Sequence, residues 1–125
     1  MSRFQREIFA AMSSLASLDD CHAHALFSFP REFIGFQGHF AGRAVLPGIC
    51  KLRAAQVVLE SVTRRTFRIV EITNAKYFAP VTHDEEITVD CQWQSGSHGL
   101  WELRASIKRK ETRVALLHLV LDDAE

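Results

Sequence analysis

The chain has 125 residues, 47% hydrophobic and 24% charged, a balance that fits one soluble globular domain spanning 1–125 and leaves no room for two. Lys and Arg number 15 and Asp and Glu also 15, so bulk charge argues for neither nucleic acid nor a membrane surface as partner. No apolar run reaches the roughly 20 residues of a bilayer span, and Arg3, Arg6 and Glu7 interrupt the start as they would not in a signal peptide, so the expected compartment is the cytoplasm.

Phe4, Ile8, Met12 and Leu15 recur at helical spacing and predict an amphipathic helix over about 4–16, broken by Asp19 and Asp20. His22 to Phe29 reads as a strand stopped by Pro30. Residues 30–46 read as a loop rich in aromatics and glycine (Phe33, Gly35, Phe36, Gly38, Phe40, Gly42). So apolar a loop needs cover, and its phenylalanines are expected to roof a pocket or meet a second subunit. Pro47 and Gly48 open a helix over about 48–62, since the missing proline N–H costs nothing in a first turn. That helix is apolar nearly all round, which predicts burial against a sheet, and its polar residues Arg53, Gln56 and Glu60 share one stripe.

Strands follow. Phe67 to Val81 is one, with an irregularity at Asn74 and Ala75; Ile87 to Gln94 and Trp101 to Lys108 alternate in polarity on either side of a turn at 95–99. Arg113 to Leu121 is apolar on both faces and belongs in the middle of the sheet or at an interface. One buried helix and a long antiparallel meander make an α+β order. Cys21, Cys50 and Cys91 show neither a CxxC pair nor a disulfide framework. Cys50 is either a small apolar filler or a thiol activated by the helix dipole. His22 and His24 alternate on one strand face without an evident third ligand, so no metal is expected, nor any other cofactor.

The stretch 38–56 holds Gly38-His39-Phe40, then Pro47-Gly48 and the helix. It resembles the signature of the hot-dog-fold 3-hydroxyacyl-carrier-protein dehydratases: Gly-His-Phe-Pro, a short loop, Pro-Gly, and a helix bearing a catalytic acid. Phe27 to Phe40 and Ala75-Lys76-Tyr77-Phe78-Ala79-Pro80-Val81 resemble further parts of that family, so that residues 23–121 are covered. The resemblance implies a hot-dog fold, an antiparallel sheet wrapped around a long central helix, and a dimer. Ala41 and Ala44 stand where prolines are expected, a departure that bears on loop stiffness rather than chemistry.

Dehydration of a 3-hydroxyacyl thioester needs a base for the α proton, stabilisation of the enolate-like oxygen, and a proton for the departing hydroxyl. The resemblance implies His39 as the base, a role that suits an imidazole titrating near neutrality. The thioester oxygen would meet backbone N–H around Gly48, where free donors and the helix dipole favour negative charge. Read without its flanks, His39 is equally an imidazole hydrogen-bonded within an aromatic loop. The family's acid, six residues beyond the proline, falls on Arg53. A guanidinium is no useful proton donor at neutral pH, though it can bind an oxyanion or pair with an acid. Glu60 shares its stripe but stands roughly 10 Å along the axis, too far to substitute directly. Phe36, Phe40, Pro47, Cys50 and Gln56 are the candidate substrate-binding residues. Arg43, Lys51, Arg64, Arg65 and Arg68 form either a docking patch for an acidic carrier protein or an ordinary solvated face.

The sequence thus reads as a dehydratase-like protein that acts on or binds acyl-carrier-protein or pantetheine thioesters in fatty-acid, polyketide or polyene synthesis. Related hot-dog dehydratases place the histidine and the acid of one site on different subunits. A homodimer, or a heterodimer with a related chain that supplies the carboxylate, is the expected assembly. A non-catalytic acyl-binding or scaffold subunit is the alternative, and a thioesterase the third reading.

Overall fold

A computed structural model describes residues 2–37 and 45–124. The first helix, α1 (Arg3–Ala10), opens on a capping box in which the Ser2 hydroxyl accepts from the Gln5 N–H and the Gln5 side chain accepts from the Ser2 N–H. It stops at Ala10, short of the expected 4–16, and Met12–Asp19 is a strand, β1. Pairing explains the difference. β1 lies antiparallel along β2 (His22–Ser28), Leu15 facing Ala25 and Ala16 facing His24. Ser13, Ser14 and Ser17 do little to hold this segment helical.

After α2 (Gly48–Thr63) come β3 (Phe67–Tyr77), β4 (Glu86–Ser95), β5 (Leu100–Arg109) and β6 (Thr112–Asp123). The six strands form one antiparallel sheet in the order β1-β2-β4-β5-β6-β3, which makes β1 and β3 its edges and places the doubly apolar β6 inside it. β3 ends at Tyr77 rather than Val81, and its register slips between Ile69 and Glu71 and again between Ile72 and Asn74. The second slip falls beside the irregularity expected at Asn74.

Inward-facing side chains line up across the strands. Ala25, Val89 and Ile107 make one row and Cys91, Ala105 and Leu117 the next, all of them buried. The alanines let α2 come close: Ala54 and Ala55 are fully buried, and the Cys91 thiol lies 3.8 Å from the Ala55 carbonyl oxygen. Each large apolar side chain removed from water here stabilises the fold by about 1.5–3 kcal/mol. The result is the arrangement that the resemblance implied, a sheet wrapped on one buried helix.

The aromatic loop is covered by the chain itself where it is described. Phe33 and Phe36 lie at a 3-10 turn (Ile34–Phe36) and join the core, their ring centroids 5.5 Å apart and edge to face. The Glu7 carboxylate accepts from the Ile34 N–H at 2.9 Å and ties this turn to α1. Four exposed apolar side chains lie on or just after β3: Val70, Ile72 and Tyr77, with Phe78 just beyond, are each about half exposed, while Leu15 and Leu18 are exposed on β1 and Phe9, Ile49 and Leu100 elsewhere.

Candidate functional site

The start of α2 is placed by main-chain bonds. The Leu46 N–H donates to the Val81 carbonyl at 2.7 Å, and the Cys50 N–H to the Pro47 carbonyl at 3.0 Å. Pro47 is the N-cap residue with extended backbone, and among the described residues no side chain caps the helix. Tyr77, at the end of β3, presses on this turn. A Cβ at position 48 would lie 2.8 Å from both Cζ and Oη of Tyr77, so only glycine admits the ring so close. Burial raises the Tyr77 pKa above its usual value. Beside it, Lys51 is only 4% exposed, its Nζ 5.2 Å from the Tyr77 ring centroid.

Arg53 stands further round the helix, half-buried. Its Nη1 donates to Gln56 Oε1 at 2.7 Å, and Gln56 Nε2 donates to the Phe67 carbonyl at 2.7 Å. One turn on, Glu60 Oε2 accepts from the Phe67 N–H at 2.7 Å. The polar stripe is therefore a clip: two side chains of α2 satisfy both main-chain groups of the first residue of β3. Burial raises the Glu60 pKa, opposed by the bonds from Phe67 and Gln56 and by the Arg53 charge.

The candidates read from the sequence are thus distributed unevenly. Pro47 and Gly48 form the helix start. Gln56 is buried with its amide engaged on both sides. Cys50 is fully buried, its sulfur 2.9 Å from a Cβ built at Gly35, and burial pushes its pKa up to about 12. The filler reading of this thiol is the one that agrees with such burial, since the dipole does not outweigh desolvation. Phe36 belongs to the core cluster. His39, Phe40 and Arg43 lie outside the described residues.

The basic flank is not one surface. Arg65 pairs with Asp123 and Arg68 with Asp122, each at 2.7 Å, while Lys51 is buried. The sequence reading missed the meeting of Lys51 and Tyr77 at Gly48. The available signal was the three-residue spacing from Gly48 to Lys51, which puts both on one side of the helix.

A cavity of about 640 Å³ opens on the opposite face of the sheet, lined among others by Asp19, His22, Gln92, Arg104 and His118. It holds none of the candidate residues. His22 Nε2 there meets the Asp90 carboxylate at 2.9 Å, and among the described residues no group of three side chains is placed to hold a metal.

A hot-dog sheet around a helix opened by Pro-Gly defines the class of protein, and known proteins refine it. The model of the ApeI-like family, described as ApeI dehydratase, matches residues 16–115, and the chain belongs to that family. No curated protein matches it in sequence. Among solved structures it is similar to the dehydratase heterocomplex ApeI:P of Xenorhabdus doucetiae, with a TM-score of 0.73 at 14% identity over 89% of this chain and 96% of that one. A sigma28-regulated virulence protein of Campylobacter jejuni gives 0.72 at 11% identity, over 98% and 97% of the two chains. An uncharacterized protein of Pyrococcus horikoshii gives 0.70 at 9%, over 92% and 85%. At such identities the structures speak for the shared fold.

Proposed function

We propose that this chain forms part of a dehydratase site that acts on or binds 3-hydroxyacyl or enoyl thioesters of an acyl carrier protein, and that a second, related hot-dog chain completes it with a carboxylate. Position 53 carries the argument. The place of the family's acid holds an arginine bonded to Gln56, and the next carboxylate of the helix, Glu60, is committed to the Phe67 N–H. In this reading His39 removes the α proton, and the N–H groups at Gly48 receive the charge that develops on the thioester oxygen. A carboxylate that protonates the departing hydroxyl then has to come from outside α2. That the similar dehydratase from Xenorhabdus doucetiae is a heterocomplex supports a two-chain site.

The test is hydration of an enoyl thioester by the purified chain, alone and mixed with a second hot-dog chain encoded beside it. Turnover that appears only in the mixture supports the reading. No turnover in either, with the thioester still bound, favours the scaffold alternative that Arg53 also permits.

A further inference from the structure

Among the described residues, the buried polar side chains are Lys51 and Gln56. Gln56 is satisfied; Lys51 has no hydrogen bond or ion pair among the described residues. Its stem is buried and its ammonium, over the Tyr77 ring at 5.2 Å, keeps some access to the surface. A ring face offsets part of the cost of desolvating an ammonium but does not replace an anion. Burial accordingly lowers the Lys51 pKa, with Cys50 pulling the other way, and among the described residues no carboxylate acts on it. Such a cation is out of place in a core and in keeping with a site.

Its position says which site. Lys51 follows Gly48 by about one turn on the same side of α2, and the ring beneath its ammonium is the one that would lie 2.8 Å from a Cβ at position 48. N–H groups left uncapped by the described residues, the positive end of the dipole and a full positive charge thus gather around one helical turn. Arg53 lies about 200° further round the helix and is bonded to Gln56. We infer that Lys51, held over Tyr77, is the cation of an anion site at the start of α2, and that its ligand is a thioester oxygen carrying enolate charge. This rests on the thioester reading above and adds to it a residue that the dehydratase signature does not supply.

Acetoacetyl-pantetheine is a suitable probe, because its enolate and keto forms differ in absorbance. Titrated with the full-length protein at fixed pH, it should show a larger enolate fraction when bound than when free. Lys51→Met should lower the bound enolate-to-keto ratio roughly tenfold while binding persists, and Lys51→Arg should restore most of it. Arg68→Gln, which removes a surface cation paired with Asp122, should match the wild type. Should the lysine variants not fold, Tyr77→Leu, at a half-exposed position, leaves the ammonium unsupported and should cut the ratio by itself. Binding without enolate enrichment, or enrichment that survives Lys51→Met, overturns the inference and leaves the thioester reading standing. Failure of the wild type to bind the probe, both alone and mixed with the second hot-dog chain, overturns both. Loss of thermal stability in Lys51→Met with the enolate ratio unchanged would assign the ammonium to the fold or to a partner's carboxylate instead.

Discussion

Arg53 cannot give way to a carboxylate without consequence. Gln56 Oε1 would lose its donor, and a turned amide would in turn abandon the Phe67 carbonyl. A new acid would also face Glu60, whose charged form burial already disfavours. We expect Arg53→Glu to lower stability by about 1–3 kcal/mol, the scale of one buried polar group left unpaired, read as a drop in the melting temperature. If the fold survives, enoyl-thioester hydration should rise above the wild-type background; a stable, substrate-binding variant with no gain would favour the scaffold reading. His39→Ala should reduce any hydratase activity at least about a hundredfold, and unchanged turnover in the folded variant would remove His39 from the mechanism. Glu7 gives a pH signature. The Ile34 N–H and then Arg3 hold its pKa below the ordinary 4.5, so its contribution is complete above that value and is lost as pH falls through its lower folded value. Glu7→Gln should therefore flatten the acid side of a stability-against-pH curve below about pH 4.5, and a curve of unchanged slope would argue against this.

At the scale of elements, α2 ends on Arg64 with left-handed backbone, φ 58°, where its N–H donates to the Glu60 carbonyl at 2.8 Å. A side chain there is strained where glycine is not. Arg64→Gly should raise stability by about 0.5–1 kcal/mol in urea unfolding, and a loss would mean that the Arg64 side chain contributes more than its backbone costs. The elements that were legible in the sequence are those with one unambiguous pattern. α2 is apolar nearly all round and opened by Pro47, while β4 and β5 alternate. The N-terminal segment was misread because Phe4, Ile8, Met12 and Leu15 fit a helical stripe, yet Leu15 is exposed on β1 and only Ile8 is fully buried. Periodicity there lost to strand pairing, a long-range effect that local spacing does not carry. The site was legible only in part for the same reason. Pro47-Gly48 is a local signal, whereas the Gly48–Tyr77 contact and the Phe67 clip join residues far apart in the chain.

For the molecule as a whole, the two sheet edges are not equivalent. β1 is eight residues long with three serines and exposes Leu15 and Leu18, whereas β3 runs for 11 residues, with Val70, Ile72, Tyr77 and Phe78 about half exposed. A long edge with unpaired main-chain groups and apolar side chains is a template for another strand, and proteins that stay monomeric blunt such edges with charge, proline or a short length. β3 has Glu71 and Lys76, but Arg68 is already neutralised by Asp122, and Pro80 comes only after the strand has ended. The same strand bears Tyr77 at the start of α2, so whatever covers β3 also borders the candidate site. We therefore expect the protein to be a dimer at micromolar concentration, alone or with a second hot-dog chain. Ile72→Lys should shift it towards monomer by light scattering, because a charge placed in the middle of the strand would have to be buried on pairing. It should also abolish whatever enoyl-thioester hydration the assembly shows, while the circular dichroism of the monomer stays that of a folded α+β domain. A wild-type monomer that neither aggregates nor takes up a partner would contradict the two-chain site, for β3 would then be an edge that tolerates water. A dimer that survives Ile72→Lys would move the interface elsewhere, and with it the place from which the missing carboxylate could come.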